Sequence, residues 1–197
     1  GAETHSTKSG VLHFTYPDDK SCLEGVKKIL SYLPQNCSER PPFDPNFRGV
    51  ENSYRLQEIV PDNQRRIYDV KDVLNCFIDR DSFFEVQALY AQNLIVGFAR
   101  LDGSVIGIVA NNPKVIGGAL DINASEKGAR FIRFCDCFNI PLLTLVDVPG
   151  FFPGSQQEHS GIIRRGAKLL FAYSEATVPK ITLIMRKAFG GAYIAMN

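Results

Sequence analysis

From residue 94 onward, short apolar segments alternate with longer segments of helical periodicity, and this alternation constrains the fold most. Residues 94–110 hold two apolar segments around Asp102-Gly103, a dipeptide typical of the type I′ turn of a β-hairpin. Residues 124–139 have helical spacing. Residues 142–148, LLTLVDV, form the continuous apolar run expected of a strand buried on both faces.

The same alternation continues to the end of the chain. We predict a helix over residues 156–176, a buried strand over 180–185 and a new helix that begins near Ala192. The core candidates of the first helix are Ile162, Ile163, Leu169, Leu170 and Tyr173. The resulting order is β-β-α-β-α-β-α, which predicts an α/β layered domain with parallel strands and right-handed crossovers.

The first part of the chain is less regular. Residues 21–33 have an apolar helical face, formed by Leu23, Val26, Ile29, Leu30 and Leu33. Residues 34–63 contain five of the eleven prolines and little periodicity, which is typical of a linker or an extended surface segment. We therefore predict that residues 1–33 end a first domain, that 34–63 are a linker, and that 64–197 form most of a second domain.

The composition excludes several classes of protein. The 197 residues are 45% hydrophobic and carry a formal net charge of +1, which allows a sizeable core and gives no long-range field for nucleic acid or an anionic membrane. No apolar run approaches the roughly 18 residues that span a bilayer, and the opening GAETHSTKSG does not resemble a targeting peptide. We expect no nucleic-acid partner and no membrane segment. Since GGAYIAMN stops within the first turns of a predicted helix, we also expect a piece of a longer polypeptide.

The five cysteines do not form a framework. Their number is odd, no Cys-x-x-Cys occurs, and Cys135 and Cys137 lie two apart in a helical pattern, so they cannot form a normal disulfide. The spacing supports no zinc site, and we expect no metal. This usage of cysteine predicts a reducing compartment, the cytoplasm or the mitochondrial matrix.

The stretch LTLVDVPGFFPG, residues 143–154, resembles the strand end of a nucleotide switch. However, Gly-x-x-x-x-Gly-Lys-[Ser/Thr] occurs nowhere in the chain, so no segment is predicted to cradle phosphates. Two large apolar side chains, Phe151 and Phe152, also follow the glycine where a switch needs mobile polar groups. We reject the nucleotide hypothesis.

Two glycine-bearing corners remain, and they have the same design. LVDVPGFFPG leads from a buried strand into a helix near Gln156, and LIMRKAFGGAY leads into the helix near Ala192. Glycine permits close backbone approach, and the first turn of a helix has free N–H groups at the positive end of its dipole. Two such groups aimed at one point form an oxyanion hole. The alternative is that both corners are tight turns that any α/β fold needs.

The side chains offer little further chemistry. His5, His13 and His159 are scattered and lie in no nucleophile motif, and Glu158 and Glu175 are too isolated to indicate an acid–base pair. The basic residues Arg164, Arg165 and Lys168 indicate either a solvated helix face or contact with an anionic partner. The simplest role of Asp147, at the end of a buried strand, is to accept backbone N–H groups. A mechanism without a side-chain base suits this sequence best.

Several blocks of the sequence resemble one known family. They are LDIN, FCD-x-FNIP, DVPGF-x-PG, QE-x-x-GIIR-x-GAK and RKAFGGAY, in this order. Together they resemble the β-type carboxyltransferase subunit of biotin-dependent acyl-CoA carboxylases, propionyl-CoA carboxylase in particular. They are also similar to the matching subunits of methylmalonyl-CoA transcarboxylase and of sodium-pumping decarboxylases. The resemblance extends over nearly the whole chain and is thin across residues 34–63.

The resemblance implies a crotonase-like fold of layered β-β-α units, present twice in the full subunit, so that this chain is a partial two-domain fragment. In the family, the first domain binds acyl-CoA and the second binds biotin. The active site lies between the first domain of one subunit and the second domain of another, within a hexamer. The implied partners are a biotin carboxylase and a biotin carrier protein or domain.

The chemistry that the resemblance implies needs no catalytic side chain. Carboxybiotin releases CO₂, the ureido anion of biotin takes the α-proton of the acyl-CoA thioester, and the enolate attacks CO₂. The protein supplies positioning and N–H donors. Biotin and a coenzyme A thioester are therefore the implied cofactor and substrate.

Particular residues of this sequence match the family's site. Gly191 and Ala192 match its oxyanion pair on the biotin side, and Gly150 and Phe151 match neighbouring backbone groups. The pocket residues implied are Gly190, Tyr193, Ile194, Gly117, Gly118 and His159. Ile194 matches a position that varies with acyl chain length; an apolar residue there disfavours a polar acyl group without separating acetyl from propionyl. His159 departs from the usual Tyr, which puts its contact with biotin or a partner subunit in doubt.

Two alternatives stay open beside an acyl-CoA carboxylase. The same half-reaction serves transcarboxylases and decarboxylases, which differ in their partner subunits. A plain crotonase-type hydratase or isomerase needs a Glu or Asp near the substrate, and the sequence places none next to the two glycine corners.

Overall fold

A five-stranded mixed sheet organises the computed structural model, which describes residues 1–50 and 53–196. The strands lie side by side in chain order, β1 to β5. Their bounds are β1 (Phe84–Val86), β2 (Leu94–Leu101), β3 (Ser104–Asn111), β4 (Leu142–Val148) and β5 (Lys180–Ala188). β1, β2 and β3 pair antiparallel, and β3, β4 and β5 pair parallel, so the predicted α/β class is confirmed.

Eight α-helices surround the sheet in the described part of the chain. They are α1 (Ala2–Thr7), α2 (Asp19–Leu30), α3 (Leu56–Ile59), α4 (Val70–Leu74), α5 (Ile122–Cys137), α6 (Ser155–His159), α7 (Ile162–Glu175) and α8 (Gly190–Ile194). Short 3₁₀ turns occupy Ser53–Arg55 and Ile116–Gly118. The helices α5 and α7 are the crossovers that carry the chain from β3 to β4 and from β4 to β5.

The predicted hairpin is confirmed. β2 and β3 pair along their whole length, and Leu101 stands opposite Ser104 at the turn. Asp102 and Gly103 both have positive φ angles, 48° and 77°, as a type I′ turn requires.

Both faces of the sheet carry a hydrophobic core. Leu94 and Phe98 of β2 point to one face, where they pack with α5 and α7 in a cluster that includes Phe131 and Leu169. Ile95 and its same-face neighbours point to the other face, where they pack with α4. This alternation explains why the run from Leu94 to Ala99 appears apolar throughout, since each of these residues is buried on one side of the sheet or the other.

The helix predicted over residues 156–176 is wrong as one element. It divides into α6 and α7 because Gly161, between them, has a φ of 82°, which no helix interior accepts. Two of its predicted core residues are also wrong, since Ile163 is 79% exposed and Leu170 is 38% exposed.

Strand β5 is not buried as the sequence predicted. Ile181, Leu183 and Ile184 are all exposed, because β5 lies at the edge of the sheet formed by the described residues. An apolar run shows that a strand can be covered, but it does not show what covers it.

Helix α2 also turns an unexpected face to the core. Leu23, Val26 and Leu30 are exposed, whereas Gly25 is buried beneath the ring of Tyr16. After the helix, Tyr32 inserts into the cluster under α5, against Phe98. Residues assigned to the end of a first domain therefore pack on the sheet, and the division at residues 34–63 stays a prediction.

Candidate functional site

The corner between β5 and α8 presents backbone amides. Phe189 leaves the sheet after its N–H donates to the carbonyl of Val148 at 3.1 Å, and Gly190 turns the chain with a φ of 62°. The first-turn N–H groups of a helix have no intrahelical acceptor. Among the described residues, no side chain caps α8, and no turn, loop or cap hydrogen bond uses the N–H of Gly191 or Ala192. Gly191 is exposed, so its amide is available to a ligand, whereas Ala192 is buried.

The corner after β4 lies beside the first. Gly150 has a φ of 146°, a conformation that is essentially confined to glycine. Its carbonyl accepts from the N–H of Leu120 at 3.1 Å, and the N–H of Phe152 donates to the carbonyl of Leu120 at 2.8 Å. These two hydrogen bonds fix the corner against the segment before α5 and hold Phe151 between them.

The ring of Phe151 joins the two corners. A Cβ added to Gly166 of α7 would lie 2.9 Å from its Cε1, and one added to Gly191 would lie 3.8 Å from its Cε2. The ring thus packs directly on the backbone of α7 and faces the first turn of α8. The two sequence-predicted corners are brought together by one aromatic side chain.

An open groove of about 320 Å³ lies against this ring. Its lining includes Phe151, Ile162, Gly166, Leu170, Gly191 and Ala195, with Glu158 as its charged member. Apolar walls with the first turn of α8 at one end suit a neutral ring system that carries one polar oxygen, because a backbone N–H there can donate to that oxygen in a site with little water.

Glu158 corrects one expectation. The sequence placed no carboxylate next to the glycine corners, but the structure puts Glu158, on the short helix α6, in the lining of the groove with Gly191. The separation of 33 positions in the sequence gave no signal of this proximity.

Other predicted pocket residues lie outside this groove. Ile194 is exposed, Tyr193 packs partly against the core, and His159 is exposed on α6. Gly117 and Gly118 form the 3₁₀ turn after β3, where a Cβ on Gly118 would lie 2.7 Å from the carbonyl oxygen of Asp147. The turn at Gly117 and Gly118 is therefore confirmed. The pocket role of all five residues stays a prediction.

A buried ionic cluster stands behind the corners. Asp147 has no exposed surface, and its Oδ2 accepts from Arg186 Nε at 2.9 Å and from the phenol of Tyr68 at 2.8 Å. Its Oδ1 accepts from the backbone N–H of Lys187 at 3.1 Å, so the expected role as a backbone acceptor is confirmed. Burial and the neighbouring carboxylate raise the pKa of the Tyr68 phenol, which remains a neutral donor. The sequence analysis missed Arg186 and Tyr68, although the Arg-Lys pair that interrupts apolar β5 was a signal.

Other features of the surface have simple explanations. Lys168 and Arg165 pair with Glu126 at 2.7 and 3.5 Å, so the basic patch on α7 is partly neutralised. No three His, Cys, Asp or Glu residues gather as a metal cluster within residues 1–50 and 53–196. Within the same ranges, every helix is too short or too polar to cross a membrane.

Comparison with known families shows which family the chain belongs to. The family described as the carboxyl transferase domain matches residues 1–197, the full length of the chain. The chain belongs to the carboxyl transferase family. The resemblance inferred from the sequence blocks is therefore confirmed.

Individual relatives agree with this assignment. The chain is 59% identical over 197 residues to a propionyl-CoA carboxylase carboxyltransferase subunit of Haloferax mediterranei, and it covers 38% of that protein. It is 52% identical over 197 residues to the methylmalonyl-CoA decarboxylase subunit alpha of Veillonella parvula, of which it covers 39%. All of this chain takes part in both matches.

A solved structure of transcarboxylase 12S, a hexamer with methylmalonyl-coenzyme A and methylmalonic acid bound, superposes on the whole chain with a TM-score of 0.96. The two sequences are 54% identical, and the chain covers 38% of that structure. The crotonase-like α/β fold expected for a carboxyl transferase domain is therefore the fold of this chain. The chain spans less than two fifths of the length of these relatives.

Proposed function

We propose that this chain forms the biotin side of a carboxyltransferase active site. The complete enzyme would move a carboxyl group from carboxybiotin to the α-carbon of a short-chain acyl-CoA, propionyl-CoA or acetyl-CoA. The observation that carries the proposal is the uncapped first turn of α8, whose Gly191 lines an apolar groove beside Phe151 in a carboxyl transferase domain.

The residues of this chain would act by binding and orienting. The amides of Gly191 and Ala192 are the donors for the ureido oxygen, and preorganised N–H donors of this kind stabilise developing negative charge most where water is excluded. Gly150 and Phe151 shape the opposite wall, and the ring of Phe151 limits where a bound ring can lie. Biotin, when bound, supplies both the carboxyl group and the base.

The groove fits biotin on two grounds. Its apolar lining accepts a neutral bicyclic ring, and an added Cβ at Gly191 would still leave 3.8 Å to Phe151, so there is room beside the amides. No residue of the proposed site has to ionise. The proposed roles require biotin on a partner protein or domain and a coenzyme A thioester, and they require no metal.

Substrate choice is assigned to the residues around α8. We place Ile194 at the acyl pocket, where its exposed apolar side chain favours an unsubstituted short chain over a polar acyl group. Gly190, Tyr193, Gly117 and Gly118 would shape the same pocket. His159 would contact biotin or a neighbouring subunit from α6.

The assembly is part of the proposal. A biotin carboxylase with its biotin carrier would deliver the carboxyl group, and a homo-hexamer would bring a CoA-binding domain to this biotin side. The transcarboxylase 12S relative is itself a hexamer, which supports the assembly. We place the enzyme in the cytoplasm, or in the mitochondrial matrix if the source is eukaryotic.

Relatives also support the alternative of a transcarboxylase or decarboxylase, since the chain is 54% identical to transcarboxylase 12S and 52% identical to a decarboxylase subunit. A crotonase-type hydratase or isomerase remains a second alternative because Glu158 lines the groove.

The test is an assay of the complete subunit with a carboxylated biotin donor and three acceptors: acetyl-, propionyl- and methylcrotonyl-CoA. We expect carboxyl transfer to propionyl-CoA or acetyl-CoA and no hydration of crotonyl-CoA measured in parallel. Hydration of crotonyl-CoA without carboxyl transfer would instead support the crotonase-type hydratase, with Glu158 as the carboxylate of its site. Transfer that requires a keto acid or a membrane-bound partner would identify the transcarboxylase or the decarboxylase.

A further inference from the structure

The inference concerns the buried carboxylate of Asp147 and rests on the proposed function. Asp147 is completely buried at the end of β4, next to the corner that carries Gly150. A buried charge is costly unless it is paired and hydrogen-bonded. Its two oxygens accept three hydrogen bonds, from Tyr68, Arg186 and the backbone of Lys187, so the charge is fully compensated.

Asp147 stands where the pairing of β4 and β5 changes register. The two strands pair residue by residue from Leu142 opposite Lys180 to Val146 opposite Ile184, and pairing resumes with Val148 opposite Ala188. Residues 185–187 of β5 therefore lie opposite the single residue Asp147. In this bulge the carboxylate, rather than a strand carbonyl, receives the N–H of Lys187.

The bulge sets the direction in which the chain leaves the sheet. Only Ala188 and Phe189 separate Lys187 from Gly190, and the N–H of Phe189 donates to Val148, the residue after Asp147. The position of the first turn of α8 relative to Phe151 is thus fixed by two neighbouring acceptors on β4. One of the two is a side chain.

Arg186 extends the same connection to a distant segment. Its Nη1 donates to the carbonyls of Pro61, Asn63 and Arg66 at 3.2, 3.1 and 2.9 Å, and its guanidinium lies 4.9 Å from the ring centre of Tyr68. The carboxylate of Asp147 therefore binds a guanidinium that also hydrogen-bonds to the segment before α4.

We propose that Asp147 is a positioning residue for carboxyl transfer: through Lys187 and Arg186 it fixes the β5–α8 corner, and hence the direction of the Gly191 and Ala192 amides. It touches neither substrate nor biotin. Its effect is to hold the first turn of α8 in place, because small misplacements of catalytic groups reduce rates strongly.

The test compares Asp147→Asn with Asp136→Asn in the complete subunit. Asp136 Oδ1 accepts from the N–H groups of Thr177 and Val178 at 2.6 and 3.1 Å, just before β5 begins. Asp147 binds β5 near its end, and Asp136 binds the residues just before its start. The two variants therefore make the same chemical change next to opposite ends of β5. In Asp147→Asn the new amide group has to face either Arg186 and Tyr68 or the N–H of Lys187, all of which are donors.

Two readouts are measured for each variant, kcat and the amide exchange of defined segments, because an effect confined to one segment differs from general destabilisation, which accelerates exchange throughout. We expect Asp147→Asn to lower kcat about tenfold or more, with the KM for acyl-CoA changed less than about twofold. Amide hydrogen exchange over residues 187–192 should accelerate about tenfold. Asp136→Asn should accelerate exchange near residues 177–180 and keep kcat within about twofold of the wild type.

A milder variant keeps the test decisive if Asp147→Asn fails to fold. Tyr68→Phe removes one hydrogen bond to the carboxylate and should lower kcat about two- to tenfold with the same exchange pattern. The inference is overturned if exchange over residues 187–192 stays at the wild-type rate, or if both Asp variants lose the same fraction of kcat. A wild-type subunit without carboxyl transfer would refute the proposed function alone, since the exchange comparison still decides what Asp147 does.

Discussion

At the scale of single residues, the site depends on how closely backbone and ring approach each other. Phe151 packs on α7 at Gly166 and faces α8 at Gly191, so one ring sets the spacing of two helices. Protein interiors are close-packed, and a methyl group added at such a contact forces the ring or the helix to move. The two glycines differ in the room they leave, which gives a matched pair of substitutions.

We predict that Gly166→Ala destabilises the subunit by about 1–3 kcal/mol and lowers carboxyl transfer, because the new Cβ would lie 2.9 Å from the Phe151 ring and push it into the groove. Gly191→Ala serves as the stability control, since its Cβ would lie at an ordinary 3.8 Å. Thermal unfolding and kcat measure the outcome. A Gly166→Ala subunit with a melting temperature equal to or above that of the wild type would show that the Phe151 ring does not pack tightly against Gly166.

Single residues also differ in how far the sequence predicts them. Gly150, Gly190 and Gly191 were predicted from their places at strand ends, and two of them, Gly150 and Gly190, have the positive φ angles that such corners need. The pairing of Asp147 with Arg186 and Tyr68 joins positions 39 and 79 apart in the chain. Such contacts follow from strand register, and no local pattern encodes them.

At the scale of elements, buried polar side chains connect loops to helices. Lys127 on α5 is 2% exposed, and its Nζ donates to the carbonyls of Gln87, Tyr90 and Ala91 in the β1–β2 connection. Burial lowers the pKa of its ammonium group to about 8. This lysine makes the docking of the connection on α5 depend on pH.

The predicted dependence has a definite sign. Between pH 8 and the ordinary lysine pKa near 10.5, the unfolded chain binds a proton at this position that the folded chain has released. Stability therefore rises with pH in that window, by about 2 kcal/mol between pH 7 and pH 9.5. Denaturant titrations of the complete subunit at the two pH values should show this gain relative to Lys127→Met. An identical change in both proteins would refute it.

Element boundaries show where sequence patterns stop being informative. Strands β2 to β5 and helix α5 were predicted within a few residues because their periodicities are strong. Helix α7 was joined to α6 because Gly161 lies within a helical pattern, and nothing local reveals its positive φ angle. The exposure of β5 and of α2 could not be predicted, because apolar periodicity identifies a face without identifying its neighbour.

At the scale of the whole molecule, segments that look like linkers are attached to the sheet. Arg100 of β2 donates to the carbonyls of Ser31 and Pro42 and lies 5.2 Å from the ring centre of Tyr32. Arg186 holds the segment at residues 61–66 in the same way. Guanidinium groups with several donors can fix proline-rich chain that has no secondary structure of its own. Composition alone indicated a linker there and gave no sign of these attachments.

The proposed site also belongs to this scale, since its donors lie on one helix, its walls on two others and its support on two strand ends. The sequence located the donors through glycine patterns and family resemblance. The groove, the ring of Phe151 and the cluster behind them required the fold.

The most direct test of the central claim removes one N–H donor without altering a side chain. Replacing Ala192 by lactic acid in the complete subunit converts its amide to an ester, and the same exchange at Ala124 is the control. Both are the third residue of their helix, and the N–H of Ala124 bonds only the cap residue Asp121, at 2.8 Å. We predict that the ester at residue 192 lowers kcat about 10²- to 10³-fold, and that the ester at residue 124 costs stability alone. Equal kcat values for the two esters would contradict the account.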